Sequence, residues 1–180
     1  MVGVCLLLAT ALPFGELDYR VVADYDFNEL TNTNPKATID ITGSISETIP
    51  DFSGERLYIP ADTNGVLQIS SSSRRGHLIC SNENVSADCT MFMRASKMNN
   101  TPKKTKISIG PYGENPSGLA TNVTVTFEMD WLEPIALSTV ATDGSIIIQP
   151  NDETESNRRI LIDRIIFARK REHGFYFIIR

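Results

Sequence analysis

Glu128-Met129-Asp130-Trp131-Leu132-Glu133 is the run whose residue types and spacing could do chemistry, with three carboxylates inside six residues. On an extended strand, residues two apart share a face, and a bulge can swing the third acid onto that face. Two carboxyl groups held about 5 Å apart act as nucleophile and acid/base in retaining glycoside hydrolysis. Glu128, Asp130 and Glu133 are therefore the candidate catalytic set. The plainer alternative puts Glu128 and Asp130 on the polar face of an ordinary amphipathic strand. Pro134 directly after the last acid, and the short stretch of chain beyond it, favour that alternative. The sequence has no nucleophile-elbow serine, no His-Glu-x-x-His and no phosphate-binding glycine loop. His77 and His173 lie in dissimilar surroundings, neither next to an evident nucleophile.

Binding is the other chemistry to weigh. A sugar site needs exposed aromatic rings to stack on pyranose faces, with polar side chains alongside. Tyr112, in Gly110-Pro111-Tyr112-Gly113-Glu114-Asn115, is the better loop candidate and Tyr58 the weaker; turn packing is the alternative for Tyr112. Trp131, the only tryptophan, shares the odd-numbered apolar register of Val123, Val125, Phe127 and Met129, which predicts a core position for it. The formal net charge of -5 argues against a nucleic-acid partner, because phosphate binding needs a basic face. The late basic group Arg158, Arg159, Arg164, Arg169, Lys170 and Arg171 reads as a solvated strand end.

The elements that must position these residues are strands. Val123, Val125, Phe127, Met129 and Trp131 alternate with Thr124, Thr126, Glu128 and Asp130, the period of a half-buried antiparallel strand. Val21, Ala23, Tyr25 and Phe27 repeat the pattern, as do Ile107 and Ile109, and further short runs cover 38–42, 56–59, 65–70, 77–80, 90–95, 135–140, 145–149 and 159–168. Between them lie stretches rich in Gly, Pro, Asn and Ser, the residues of tight turns. No long helical period occurs. The prediction is an all-β antiparallel sandwich of jelly-roll or galactose-binding-like type, a single domain over 19–170. A chain of this length buries a self-sufficient core without metals or many disulfides.

The first fifteen residues contain an uncharged apolar stretch, Val2 to Leu12, of signal-peptide length and too short to span a membrane. Ala9-Thr10-Ala11 has the form of a cleavage site, although no basic residue precedes the stretch, and Val4 before Cys5 does not suit a lipoprotein signal. A buried strand or helix is the alternative. The expectation is an exported, extracytoplasmic protein without a stable membrane span. In that compartment Cys80 and Cys89 close a short loop as a disulfide, contributing roughly 2 to 3 kcal/mol; in a reducing one they are small core residues. Residues 171–180, ending in Phe175-Tyr176-Phe177-Ile178-Ile179, form an extra edge strand or a sticky tail.

In its strand order the chain resembles the carbohydrate-binding-module-like, galactose-binding-like β-sandwich domains of exported Bacteroidetes proteins. The resemblance rests on Tyr25-Asp26-Phe27, Met91-Phe92-Met93-Arg94-Ala95, Lys106-Ile107-Ser108-Ile109, Val123-Thr124-Val125-Thr126-Phe127, the turn Asp130-Trp131-Leu132-Glu133 and the closing Ile160-Leu161-Ile162-Asp163-Arg164-Ile165. Such domains commonly end in an Ile/Leu-Asp-Asp-Ile/Val pattern; here the second acid is Arg164. The resemblance implies a non-catalytic surface module, with carbohydrate as ligand. It also implies a structural calcium between first and last strands, held by Asp26 and Asp163 with Asp24, Asn28 or Glu29 nearby. Calcium takes six to eight oxygen ligands, so carbonyls and water would have to complete the site. The alternative for Asp163 is an ion pair with an arginine. The acidic run Glu128 to Glu133 is in turn similar in form to the motif of laminarinase-like retaining glycoside hydrolases, which are longer. The second functional reading is a structural or adhesive domain that recognises a surface protein through a sheet edge or the aromatic C-terminus.

Overall fold

The computed structural model describes residues 18–71, 74–98, 104–111, 121–137, 145–151 and 159–171. Alternating β-branched and polar residues form strands in the order β1 (Tyr19–Asp26), β2 (Thr31–Asn32), β3 (Ile39–Asp40), β4 (Phe52–Glu55), β5 (Leu57–Ile59), β6 (Thr63–Asn64), β7 (Leu67–Ile69) and β8 (His77–Ser81). They continue as β9 (Cys89–Lys97), β10 (Lys104–Pro111), β11 (Thr121–Thr126), β12 (Asp130–Trp131), β13 (Ile135–Ala136), β14 (Ser145–Pro150) and β15 (Ile160–Lys170). Helix among the described residues is confined to a 3-10 turn, Phe27–Glu29, and one α-turn, α1 (Ile45–Thr48).

The strands build an antiparallel β-sandwich. Its larger sheet runs β12-β9-β15-β7-β5-β3, with β1 also on β15 and β13 also on β9; the smaller runs β11-β10-β14-β8-β4. Between them lies one apolar core, in which Met91, Met93, Ile162, Ile165 and Phe167 of the larger sheet join Phe52, Leu78, Ile107, Val125 and Ile148 of the smaller. Each such side chain, fully buried, contributes about 1.5–3 kcal/mol. Glycine permits the closest strand approach: a Cβ at Gly54 would lie 2.2 Å from the His77 carbonyl oxygen, so only a hydrogen lets β4 pair with β8.

The first and last strands pair as the sequence suggests, with Asp26 opposite Arg164. The long strand expected from Val123 to Trp131 is divided. It ends at Thr126 in the smaller sheet, the chain crosses over with Phe127 48% exposed, and β12 begins in the larger sheet. A period-two pattern does not say which sheet a residue serves, and crossing between sheets resets which parity faces the core. Leu132, not Trp131, is then buried. β4 was not anticipated either, because Phe52 sits in a polar stretch with no alternation of its own. Residues 1–15 and 172–180 lie outside the described residues; Arg171 donates its N–H to the Asp18 carbonyl at 2.7 Å. No described helix is long and apolar enough to cross a membrane.

Candidate functional site

β15 has β9 along one edge and two successive partners along the other. Ile160 to Ile162 pair with β7, and Arg164 to Lys170 pair with β1. At the exchange the register against β9 slips: Ile162 faces Ala95 and Arg164 faces Arg94, leaving Asp163 as the extra residue of a bulge. A bulge bends its strand and re-aims a side chain. Beside it lies a cavity of about 360 Å³ lined by Asp26 at the end of β1, Asn28 just after it, Asn64, Gly65 and Val66 before β7, Arg94, Asp163 and Arg164 at the bulge, and Trp131.

Register places these groups in one row across the outer face of the larger sheet. Trp131 on β12 is opposite Arg94 on β9, Arg94 is opposite Arg164 on β15, and Arg164 is opposite Asp26 on β1. Directly opposed residues share a face. Trp131 is half-buried, packed on an outer apolar cluster of Phe92, Ile166 and Ala168. Gly65, at φ +70°, lies so near Asn28 that a Cβ there would fall 2.8 Å from the Asn28 Oδ1, which makes glycine a requirement of this wall.

Charge in the cavity is largely matched internally. Arg94 donates to Asp163 Oδ2 at 2.7 Å, and Arg164 grips Asp24 through two bonds of 2.9 and 2.7 Å. Hydrogen bonding to Asp24 pushes the Arg164 guanidinium above its ordinary pKa. Asp26 Oδ1 accepts the Asn28 N–H at 3.0 Å. Asp163 Oδ1 is buried with no hydrogen-bond partner. Burial raises the Asp163 carboxyl above its usual range, and Asp26 adds to the rise. Arg94 and Arg164 oppose it without cancelling it. A planar indole beside clustered amides, a carboxylate and guanidinium groups suits a ligand that has an apolar ring face and a rim of hydroxyls.

Asp26 and Asp163, named from sequence as metal ligands, do line one cavity. Their donor set does not fit calcium. Asp163 Oδ2 is occupied by Arg94, Arg164 stands where a second acid would, and a guanidinium supplies only donors. No group of three His, Cys, Asp or Glu among the described residues is placed to hold a metal ion. The arginine partner expected as the alternative for Asp163 is Arg94.

The other sequence candidates fall elsewhere. Tyr58 is half-buried on the same outer face, in the row Tyr58, Gln68, Leu161 and Ser96, but does not line the cavity. Tyr112 and His173 lie outside the described residues. The bridge expected between Cys80 and Cys89 is corrected to two free, buried thiols. Cys80 is in the smaller sheet and Cys89 in the larger, so spacing along the chain misjudged them as neighbours on paired strands. Burial pushes the Cys80 thiol up to about 12, which makes it unreactive. Glu128 is exposed in the crossover, and Glu133 is exposed beyond β12. Asp130 is also exposed, its carboxylate accepting the Trp131 N–H. The division of the predicted strand removes the shared strand face on which their catalytic pairing depended.

A second cavity of about 500 Å³ is lined by Asp51, Ser81, Asn82, Glu83, Asn84 and Ser145. Beside it Asp51 Oδ2 accepts from both the Tyr25 hydroxyl and the Asn82 amide, and burial raises the Tyr25 pKa, with Asp51 adding to it. The residues lining this second cavity include no aromatic ring.

Trp131 and Arg94 are the site residues that sequence reasoning missed. The usable signal was the adjacent apolar pair Trp131-Leu132, which breaks alternation and marks a change of parity.

No family profile and no curated protein matches the chain. Among solved structures it is similar to a family 36 carbohydrate-binding module in complex with calcium and xylotriose, at 11% identity and TM-score 0.43, over 81% of this chain and 99% of that one. It is similar to a cleaved adhesin domain of Lys-gingipain at 16% identity and TM-score 0.45, over 81% and 99%. An arabinose-bound α-L-arabinofuranosidase is similar at 12% identity and TM-score 0.46, over 82% of this chain and 27% of that one.

Proposed function

We propose that the chain is a non-catalytic module that binds carbohydrate outside the cell, using the cavity at the β15 bulge. The row Trp131, Arg94, Arg164 and Asp26 carries this reading. It sets an aromatic ring and hydrogen-bonding groups side by side on a rigid sheet, the combination that sugar recognition uses. Support comes also from the cavity's Asn28 and Asn64, which can both donate and accept. Calcium has no part in the proposal, since the donor set does not suit it.

Titration calorimetry against a panel of soluble polysaccharides tests the reading. Wild type should bind at least one of them, and Trp131→Ala should weaken that binding by about 10-fold or more, as truncating an aromatic contact residue at the centre of a binding site does. Binding to protein partners alone would transfer the function to surface-protein recognition. Reducing-sugar release abolished by Glu128→Gln would make the chain a hydrolase.

A further inference from the structure

We infer that the cavity at the β15 bulge takes uronate-bearing glycans, with the sugar ring on Trp131 and its carboxylate on the open Nε–Nη2 edge of Arg94. This rests on the carbohydrate-binding reading above and names its ligand class. The same sheet already shows the grip: Arg164 holds Asp24 through Nε at 2.9 Å and Nη2 at 2.7 Å. Arg94, opposite Arg164 on β9, makes one side-chain hydrogen bond among the described residues, from Nη1 to Asp163 Oδ2 at 2.7 Å. That bond fixes the guanidinium and leaves Nε and Nη2 unpartnered, on a side chain 43% exposed. Two parallel donors in this fork match a carboxylate, and such charge-assisted pairs are about twice as strong as neutral hydrogen bonds.

Trp131 is directly opposite Arg94, and both line the cavity. Opposed residues have Cβ atoms about 4.5–5.5 Å apart, so a ring resting on the indole carries its carboxylate within reach of the guanidinium. The acids that would repel that carboxylate sit mostly at the other end of the row. Asp24 and Asp26 are exposed on β1, with β15 between them and β9. Two strand spacings are about 10 Å, roughly one Debye length at 0.1 M salt, so their repulsion is largely screened. Asp163 is nearer, but its charge is met by Arg94 itself. The shape of the fork, more than net charge, therefore selects the ligand.

Affinity gels and calorimetry, run at moderate salt without divalent cations, decide it. The ligands are polygalacturonate and alginate, each beside its esterified form, and the uncharged polymers β-glucan, galactan and mannan. Wild type should bind one of the two uronates in a Trp131-dependent way, about 10-fold or more tighter than its ester or the uncharged polymers, the scale of a hydrogen bond to a charged group. Arg94→Gln should weaken uronate binding by about the same factor. Arg94→Lys, which keeps the charge without the fork, should restore only part of it. Trp131-dependent binding that is equal for acid and ester, or confined to uncharged polymers, overturns the inference, and so does wild-type uronate affinity in a folded Arg94→Gln variant. In each of these cases the carbohydrate reading stands. Absence of any Trp131-dependent polysaccharide binding overturns that reading itself. Esterification changes the ligand and not the protein, so the wild-type comparison decides even should Arg94→Gln fail to fold.

Discussion

Asp163 is held in a place that does not suit its charge. Its carboxyl is raised because burial outweighs the help from Arg94 and Arg164. A carboxyl whose folded pKa lies above its unfolded value of 3.8 gives its full stability contribution below that value and loses it as pH rises through the folded pKa. The wild-type protein therefore carries a cost at neutral pH that an asparagine would not. Calorimetric melts should show the Tm of Asp163→Asn rising relative to wild type as pH goes from about 3 to about 7. A relative fall over that range would mean that Arg94 outweighs burial. Both acids of the cavity were named ahead of the structure, because the family resemblance set Asp26 and Asp163 side by side on the first and last strands. Trp131 was not, because nothing in the alternating residues from Val123 onward announces a change of sheet before Leu132.

Single strands here are short, and many owe their place to side chains from other elements. β4 is the clearest case. Phe52, 1% exposed, meets the Tyr25 ring of β1 at 4.7 Å, near edge-on, and the Phe27 ring at 5.6 Å. Edge-to-face pairs add about 0.5–1.5 kcal/mol beyond area burial. Phe52→Ala should cost about 3–5 kcal/mol in urea unfolding, as large-to-small core changes of this kind do; a cost below about 1 kcal/mol would show that the cluster does not anchor β4. Sequence reading found the strands that carry their own apolar pattern or run, β9, β14 and β15 among them. It passed over β4, whose only apolar residue is assigned its role by partners distant in sequence.

At the scale of the whole molecule, the all-β sandwich and the meeting of first and last strands were legible. The disulfide was not sustained, because it depends on which groups become spatial neighbours, and the same dependence sets the donors available to a cation at Asp163. The ion pairs Arg94 to Asp163 and Arg164 to Asp24 tie β9 to β15 and β15 to β1 where a metal was expected. A ligand that binds only the folded state must raise its Tm. Scanning calorimetry in millimolar calcium and in chelator should therefore give the same midpoint. A calcium-dependent rise of more than about 2 °C, the scale of a sub-kcal/mol stabilisation, would restore the metal site.

β15 is the final strand of the described chain and joins the two halves of the larger sheet, pairing with β9 on one edge and with β7 and β1 on the other. During synthesis the larger sheet must wait, its earlier strands holding unpaired edges until the ribosome has delivered residues 160–170. Closing contacts across so much sequence carries a heavy loop-entropy barrier and slows the search. The nascent protein thus passes through a period of exposed apolar edges in which a chaperone is useful and aggregation is the competing fate.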